Sequence, residues 1–110
     1  MVQQTVHDLA EFECALQQPR MLLFKHSTAC PISAAAYEEY RAFCAGHPDA
    51  PTALVDVIAD RPAARGIAER CGVRHESPQA ILFANGRPVW HASHMAITAA
   101  TLAAAWAQHA

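Results

Sequence analysis

Apolar positions change their period several times along the chain, and each change marks an element. Leu9, Phe12 and Leu16 recur at helical spacing, and Thr5 with Asp8 resembles a capping box that would open the helix. Pro19 ends it. Residues 21–26 begin as an unbroken apolar run, which predicts a short buried strand. Residues 31–44 return to helical spacing, with Ala36, Tyr40, Phe43 and Cys44 on one stripe. Ala53 to Ile58 is rich in β-formers, so strand, helix and strand make a unit expected to be parallel and right-handed. Asp60 is placed to cap a further helix whose Ala64, Ile67, Ala68 and Cys71 form its apolar face, and Gly72 stops it.

Past Pro78 the pattern becomes that of a hairpin. Ala80 to Ala84 predicts a strand, Asn85-Gly86 a tight turn, and Val89 to Ala92 the antiparallel return. Pro88 has no ladder donor, which places the return strand at a sheet edge. Thr98 caps a closing helix that carries Leu102 and Trp106. The sum is one α/β domain over residues 1–110: a four-stranded mixed sheet with helices on both faces and an added N-terminal helix. No repeat, low-complexity stretch or linker divides it.

Composition narrows the function classes. With 110 residues and 53% hydrophobic content, the chain suits a single domain that buries about two-thirds of its unfolded surface. A formal charge of −2 with only 8 Lys and Arg does not indicate a nucleic-acid or anionic-membrane partner. No apolar run approaches the ~20 residues that span a bilayer. Asp8, Glu11 and Glu13 near the start are unlike a signal peptide, so the expected location is cytoplasmic and reducing, with free cysteines. Cysteines at 14, 30, 44 and 71 form no C-x2-C pair and find no H-x3–5-H partner, so no metal site is expected.

Chemistry concentrates at Cys30-Pro31-Ile32-Ser33. A predicted strand, a tight turn and a predicted helix place Cys30 at the helix N-cap, with Pro31 at the first helical position, where its missing N–H is no loss. The amides of Ile32 and Ser33 would point toward the sulfur, and the positive helix end favours a thiolate. The thiolate is the nucleophile of thiol–disulfide exchange. Ser33 stands where a resolving thiol would be needed. Cys44 lies fourteen residues further along the same helix, about 21 Å at 1.5 Å per residue, beyond the ~7 Å Cα limit of a disulfide. Cys44 and Cys71 fall on apolar stripes and read as core, whereas Cys14 projects away from its stripe. The residues therefore describe a one-thiol mechanism.

Three segments carry a family resemblance: Cys30-Pro31-Ile32-Ser33, His75-Glu76-Ser77-Pro78-Gln79, and Trp90-His91-Ala92-Ser93-His94. Together they resemble the monothiol bacilliredoxins, bacterial proteins with a thioredoxin-like fold associated with the low-molecular-weight thiol bacillithiol. The likeness runs from about Leu22 to Trp106. One departure is Ala29, where the family usually has threonine. The resemblance implies an oxidoreductase that takes bacillithiol from mixed disulfides on client proteins onto Cys30. Bacillithiol enters as substrate rather than cofactor, and a second small thiol or another reductant regenerates Cys30. It implies a cis peptide bond at Ser77-Pro78, with the Ser77 backbone offered to substrate as a strand edge. Pro31, Ile32, Ser33, His75, Ser77, Pro78 and His94 form the expected substrate-binding set.

Bland readings stand beside these. His75 and His94 are placed to touch substrate or deliver a proton to the leaving thiol; equally, loop histidines bond to backbone. His7, His47 and His109 read as solvated, and so does Lys25 at a strand end. Two other functions compete: a glutaredoxin-like monothiol protein using glutathione or carrying an iron–sulfur cluster, and a non-catalytic adaptor whose helix-tip cysteine is incidental. Cluster carriers typically show glycine and phenylalanine after the cysteine, where this chain has Pro31 and Ile32.

Overall fold

The computed structural model describes residues 3–110. Strands β1 (Gln3–Thr5), β2 (Arg20–His26), β3 (Thr52–Asp56), β4 (Gln79–Ala84) and β5 (Arg87–Ser93) alternate with helices α1 (Leu9–Ala15), α2 (Pro31–Gly46) and α3 (Arg61–Cys71). A 3₁₀ turn, His94–Ala96, leads into α4 (Ala99–Gln108). The strands form one mixed sheet in the order β1-β3-β2-β4-β5. β3 is parallel to both β1 and β2, whereas β4 is antiparallel to β2 and β5.

That sheet has five strands where the sequence suggested four. Gln3–Thr5 is too short and too polar to announce a strand; it exists because β3 has a free edge that it can pair, Thr5 facing Leu54. Drawing Thr5 into the sheet moves the start of α1. Its N-cap is Asp8, whose carboxylate accepts from the Glu11 amide at 2.8 Å, while Glu11 accepts from the His7 amide at 2.7 Å. β3 also stops at Asp56, before the expected Ile58, which is 43% exposed in the turn that follows. Asp60 sits at the N-cap of α3 without bonding it; its carboxylate pairs instead with His7 Nδ1 at 2.9 Å.

Period-2 alternation along β2 divides the core in two. Met21 and Leu23 join Phe12, Leu16, Val55, Ile67, Ile81 and Phe83 beneath α1 and α3. Leu22 and Phe24 join Tyr40, Phe43, Leu82, Ile97 and Leu102 beneath α2 and α4. With both faces covered, β2 loses its polar alternation and reads as a continuous apolar run. α4 is fixed at its start by Thr98, whose hydroxyl accepts from the Thr101 amide at 3.0 Å. Cys44 and Cys71 are half-buried at the margins of these layers rather than within them, and Cys14 is exposed. His47 is half-buried too: its ring stacks 4.3 Å from Phe43 and its Nδ1 lies 3.0 Å from the Phe43 carbonyl oxygen.

Candidate active site

Strand β2 ends and α2 begins within a turn of four residues, and Cys30 closes that turn. It is the N-cap of α2 with extended backbone (φ −115°, ψ 122°), and Pro31 opens the helix behind it. Its amide donates to the Ser27 carbonyl at 3.3 Å, and its own carbonyl accepts from Ala34 at 3.1 Å. No side chain caps the helix, so the first-turn amides have no intrahelical acceptor. Cys30 is half-exposed, and Pro31 and Ile32 flank it in the open, Ile32 being 44% exposed.

Ser33, expected in the substrate-binding set, lies inside the fold. It is fully buried, because the third residue of α2 faces the sheet. Its hydroxyl oxygen accepts from the Ser27 amide at 2.8 Å and lies 2.8 Å from His26 Nδ1. The side chain thus ties the turn that carries Cys30 back onto the end of β2. His26 is held in turn by stacking, its ring 4.8 Å from Tyr37 and 5.7 Å from Phe24. Burial pushes the His26 imidazole below the ordinary histidine value, with Asp56 opposing, so the ring at this anchor is neutral near pH 7.

Two further segments meet this turn. The Ser77-Pro78 peptide bond is cis, and Pro78 is buried. The Pro78 carbonyl accepts from the His94 amide at 3.0 Å, which joins the proline loop to the 3₁₀ turn, and that turn packs on α2. His94 is exposed, has a left-handed backbone (φ 55°), and sets Nε2 3.5 Å from a Glu76 carboxylate oxygen. His75 is exposed one residue earlier in the loop. Partial burial, then Lys25 and Arg65, lower its pKa against the pull of Glu76. Ser27 and Ser77 border one cleft of about 330 Å³ together with His75, Arg61 and Arg65. Ser27 of the thiol turn and Ser77 of the proline loop are therefore neighbours. Among the described residues no group of three or more His, Cys, Asp or Glu could hold a metal ion.

Lys25 overturns the reading of a solvated strand end. It shares the face of Met21 and Leu23, is fully buried, and donates from Nζ to Gln79 Oε1 at 3.0 Å. Gln79 in turn donates from Nε2 to the Arg74 carbonyl at 3.0 Å and accepts from the Glu76 amide at 3.4 Å. One buried amide thus holds both ends of the segment that carries His75. The missed signal is the period-2 pattern itself, since Met21, Leu23 and Lys25 occupy one face.

Comparison with known proteins agrees with this geometry. The family model described as monothiol bacilliredoxin BrxC matches residues 3–102. A solved structure described as a candidate oxidoreductase with a thioredoxin fold is 34% identical, covering 96% of this chain and 94% of its own, at a TM-score of 0.88. Mitochondrial thioredoxin 3 from Saccharomyces cerevisiae is 17% identical over 96% of this chain and 93% of its own, at a TM-score of 0.76. Fasciola hepatica thioredoxin is 16% identical over 97% and 99%, at 0.77. These last two likenesses establish the thioredoxin fold.

Proposed function

The chain belongs to the monothiol bacilliredoxin family, and from that premise we propose that it removes bacillithiol from mixed disulfides on oxidised client proteins. Family and fold give the coarser statement, a thiol-redox protein. The observation that supports a one-thiol exchange is the pairing of a half-buried Cys30 at the helix tip with a buried, hydrogen-bonded Ser33, and the choice of bacillithiol as the thiol follows from the family. A thiol at that second position would resolve an adduct on Cys30; the serine hydroxyl cannot.

The reaction is one exchange. The Cys30 thiolate attacks the bacillithiol sulfur, a new S–S bond forms, the old one breaks, and the client sulfur leaves as a thiolate that takes up a proton. The client is reduced and Cys30 is left bacillithiolated. A second small thiol attacks the bacillithiol sulfur of that adduct, returns Cys30 as thiolate and carries away the disulfide. No side chain caps the start of α2, so its first-turn amides remain available beside the reacting turn. In this reading Pro31, Ile32, the Ser77 backbone and Pro78 receive the client segment. His94 and His75 stand on the two adjoining loops as contacts for the departing thiol. Ser33 acts through the turn it anchors and does not touch substrate. Within this reading the bacillithiol is substrate, and the clients are cytosolic proteins in a reducing compartment.

Intact-mass measurement after mixing reduced protein with a bacillithiolated client tests this, alongside Cys30→Ser and a glutathionylated client. One bacillithiol on the parent protein, none on Cys30→Ser, and little glutathione transfer are expected. Preferential glutathione transfer would move the protein to a glutaredoxin-like role. No adduct from either client would end the catalytic reading in favour of the adaptor.

A further inference from the structure

His26 closes β2, and its ring faces the first turns of α2. Three contacts fix that ring. It stacks on Tyr37 at 4.8 Å and on Phe24 at 5.7 Å, and Nδ1 lies 2.8 Å from the buried Ser33 hydroxyl. The same hydroxyl accepts the Ser27 amide at 2.8 Å, while the Ser27 carbonyl accepts the Cys30 amide at 3.3 Å. Ser27 is therefore tied on both sides, once to the helix and once to the residue that carries the thiol.

A hydroxyl has one hydrogen to give. Ser33 is shut off from solvent, and His26 Nδ1 is the acceptor placed in its reach. The bond runs from Ser33 to His26 only while Nδ1 carries no proton. A protonated imidazole donates from both nitrogens. The Ser33 oxygen would then face two donors, and its own buried hydrogen would lose its partner. Burial disfavours that protonated form, with Asp56 opposing. Asp56 stands beside His26 on β3, and its carboxylate accepts from the Ile58 and Ala59 amides. The other titratable groups on this side are Tyr37 and Cys30. Arg41 lies 5.8 Å from the Tyr37 ring, and Lys25 points to the opposite face of the sheet.

We propose that His26 is a positioning residue for exchange at Cys30: its unprotonated Nδ1 accepts the Ser33 hydroxyl, and Ser33 and Ser27 pass that constraint to the turn that carries the thiol. The assignment rests on the redox reading above and deepens it with a proton-controlled element. When the imidazole takes up a proton the bond reverses, the turn loosens and Cys30 reacts more slowly. A bare positive charge beside the sulfur would act in the opposite sense, by raising its thiolate fraction.

The test is the rate at which 2-hydroxyethyl disulfide modifies Cys30 from about pH 5 to about pH 9, followed by mass mapping of the Cys30 peptide. The Cys30 thiolate attacks one sulfur, the S–S bond breaks, and the mercaptoethanol thiolate leaves and takes up a proton. As pH falls, the parent's rate should drop with two ionisations, that of the thiol and one below the ordinary histidine value of 6.5. His26→Phe keeps an aromatic ring for Tyr37 and Phe24 but offers no acceptor. Its rate above neutral pH should be about fivefold lower, the scale of one hydrogen bond, and its second ionisation should be gone. Ser33→Ala keeps the imidazole and breaks the link, so it too should lose the second ionisation. His26→Asn presents an amide oxygen where Nδ1 stands and should recover most of the rate without titrating. A second ionisation that persists in Ser33→Ala, or a parent rate that falls less steeply than that of His26→Phe, would overturn the proposal.

Nitrogen NMR of the imidazole rings decides the bond in the parent, without a substitution. His26 should be the tautomer protonated at Nε2, with Nδ1 shifted as a hydrogen-bond acceptor, and should titrate below 6.5. A proton on Nδ1 at neutral pH would overturn the proposal. A parent whose Cys30 exchanges at no pH would end the redox reading and the positioning role with it, whereas exchange with a single ionisation would end the positioning role alone.

Discussion

Lys25 and Gln79 face each other across β2 and β4, with Nζ 3.0 Å from Oε1 and both side chains shut off from solvent. An ammonium in such a place is disfavoured by burial, which lowers its pKa to about 8, while Cys71 and Glu76 pull the other way. Between about 8 and the ordinary value of 10.5, the unfolded chain holds a proton here that the folded chain has released. Stability contributed at this site therefore rises with pH across that window and is lowest below it. Lys25→Met fills similar volume without the charge. Urea unfolding from pH 7 to 10.5 should show the parent gaining stability relative to the variant as pH rises from about 8, with no loss of stability in the variant at pH 7. The difference between the two proteins cancels other groups that titrate there. Parallel curves would refute a buried, shifted lysine.

Gln79→Leu removes the acceptor and leaves the cation behind. We expect a loss of roughly 1.5–3 kcal/mol, the scale for a hydrogen bond to a charged group left unmade. Combined with Lys25→Met the loss should shrink, because no buried charge is then orphaned. Additive losses in that double-mutant cycle would mean the pair is not coupled.

Ser33→Cys supplies the thiol that the fourth position of the turn lacks. Residues three apart on a helix lie within the ~4.4–6.8 Å Cα range of a disulfide. Intact mass after reaction with a bacillithiolated client should then show a protein two hydrogen atoms lighter than its reduced form, with the bacillithiol released as thiol, instead of a persistent adduct. Stability should fall by about 1–3 kcal/mol, since the Ser27 amide loses its acceptor. A persistent adduct would show that the buried position is out of reach of Cys30.

His94→Gly separates support from substrate contact. The left-handed backbone costs an ordinary residue ~1–2 kcal/mol, which glycine's greater freedom in the unfolded chain largely offsets. Stability by denaturant titration should stay within about 1 kcal/mol of the parent. The transfer rate from a bacillithiolated client should drop severalfold. An unchanged rate would remove His94 from the site.

Much of the site was readable because its signals are local. A cysteine followed by proline between an apolar run and a helical stripe places the thiol at a helix tip, whatever the rest of the chain does. Asn85-Gly86 and Thr98 acted as the hairpin turn and the helix cap for the same reason. The burial of Ser33 was not readable, because its neighbours in sequence are exposed and only the helix phase against the sheet turns it inward. Arg61 and Arg65 carried no motif. They line one cleft only because α3 meets the turn and the proline loop.

What the chain alone determined is the order of its elements from α1 onward and the location of its helix-tip thiol, since these depend on residues within a few positions of one another. The fifth strand, the burial of Lys25 and the partner of each loop were decided only by tertiary pairing. Gln3–Thr5 is a strand because β3 offers an edge. Lys25 is buried because the register of β4 brings Gln79 opposite it. A hydrogen bond across fifty-four residues leaves no trace in local pattern, because its energy depends on which backbones the whole fold brings side by side.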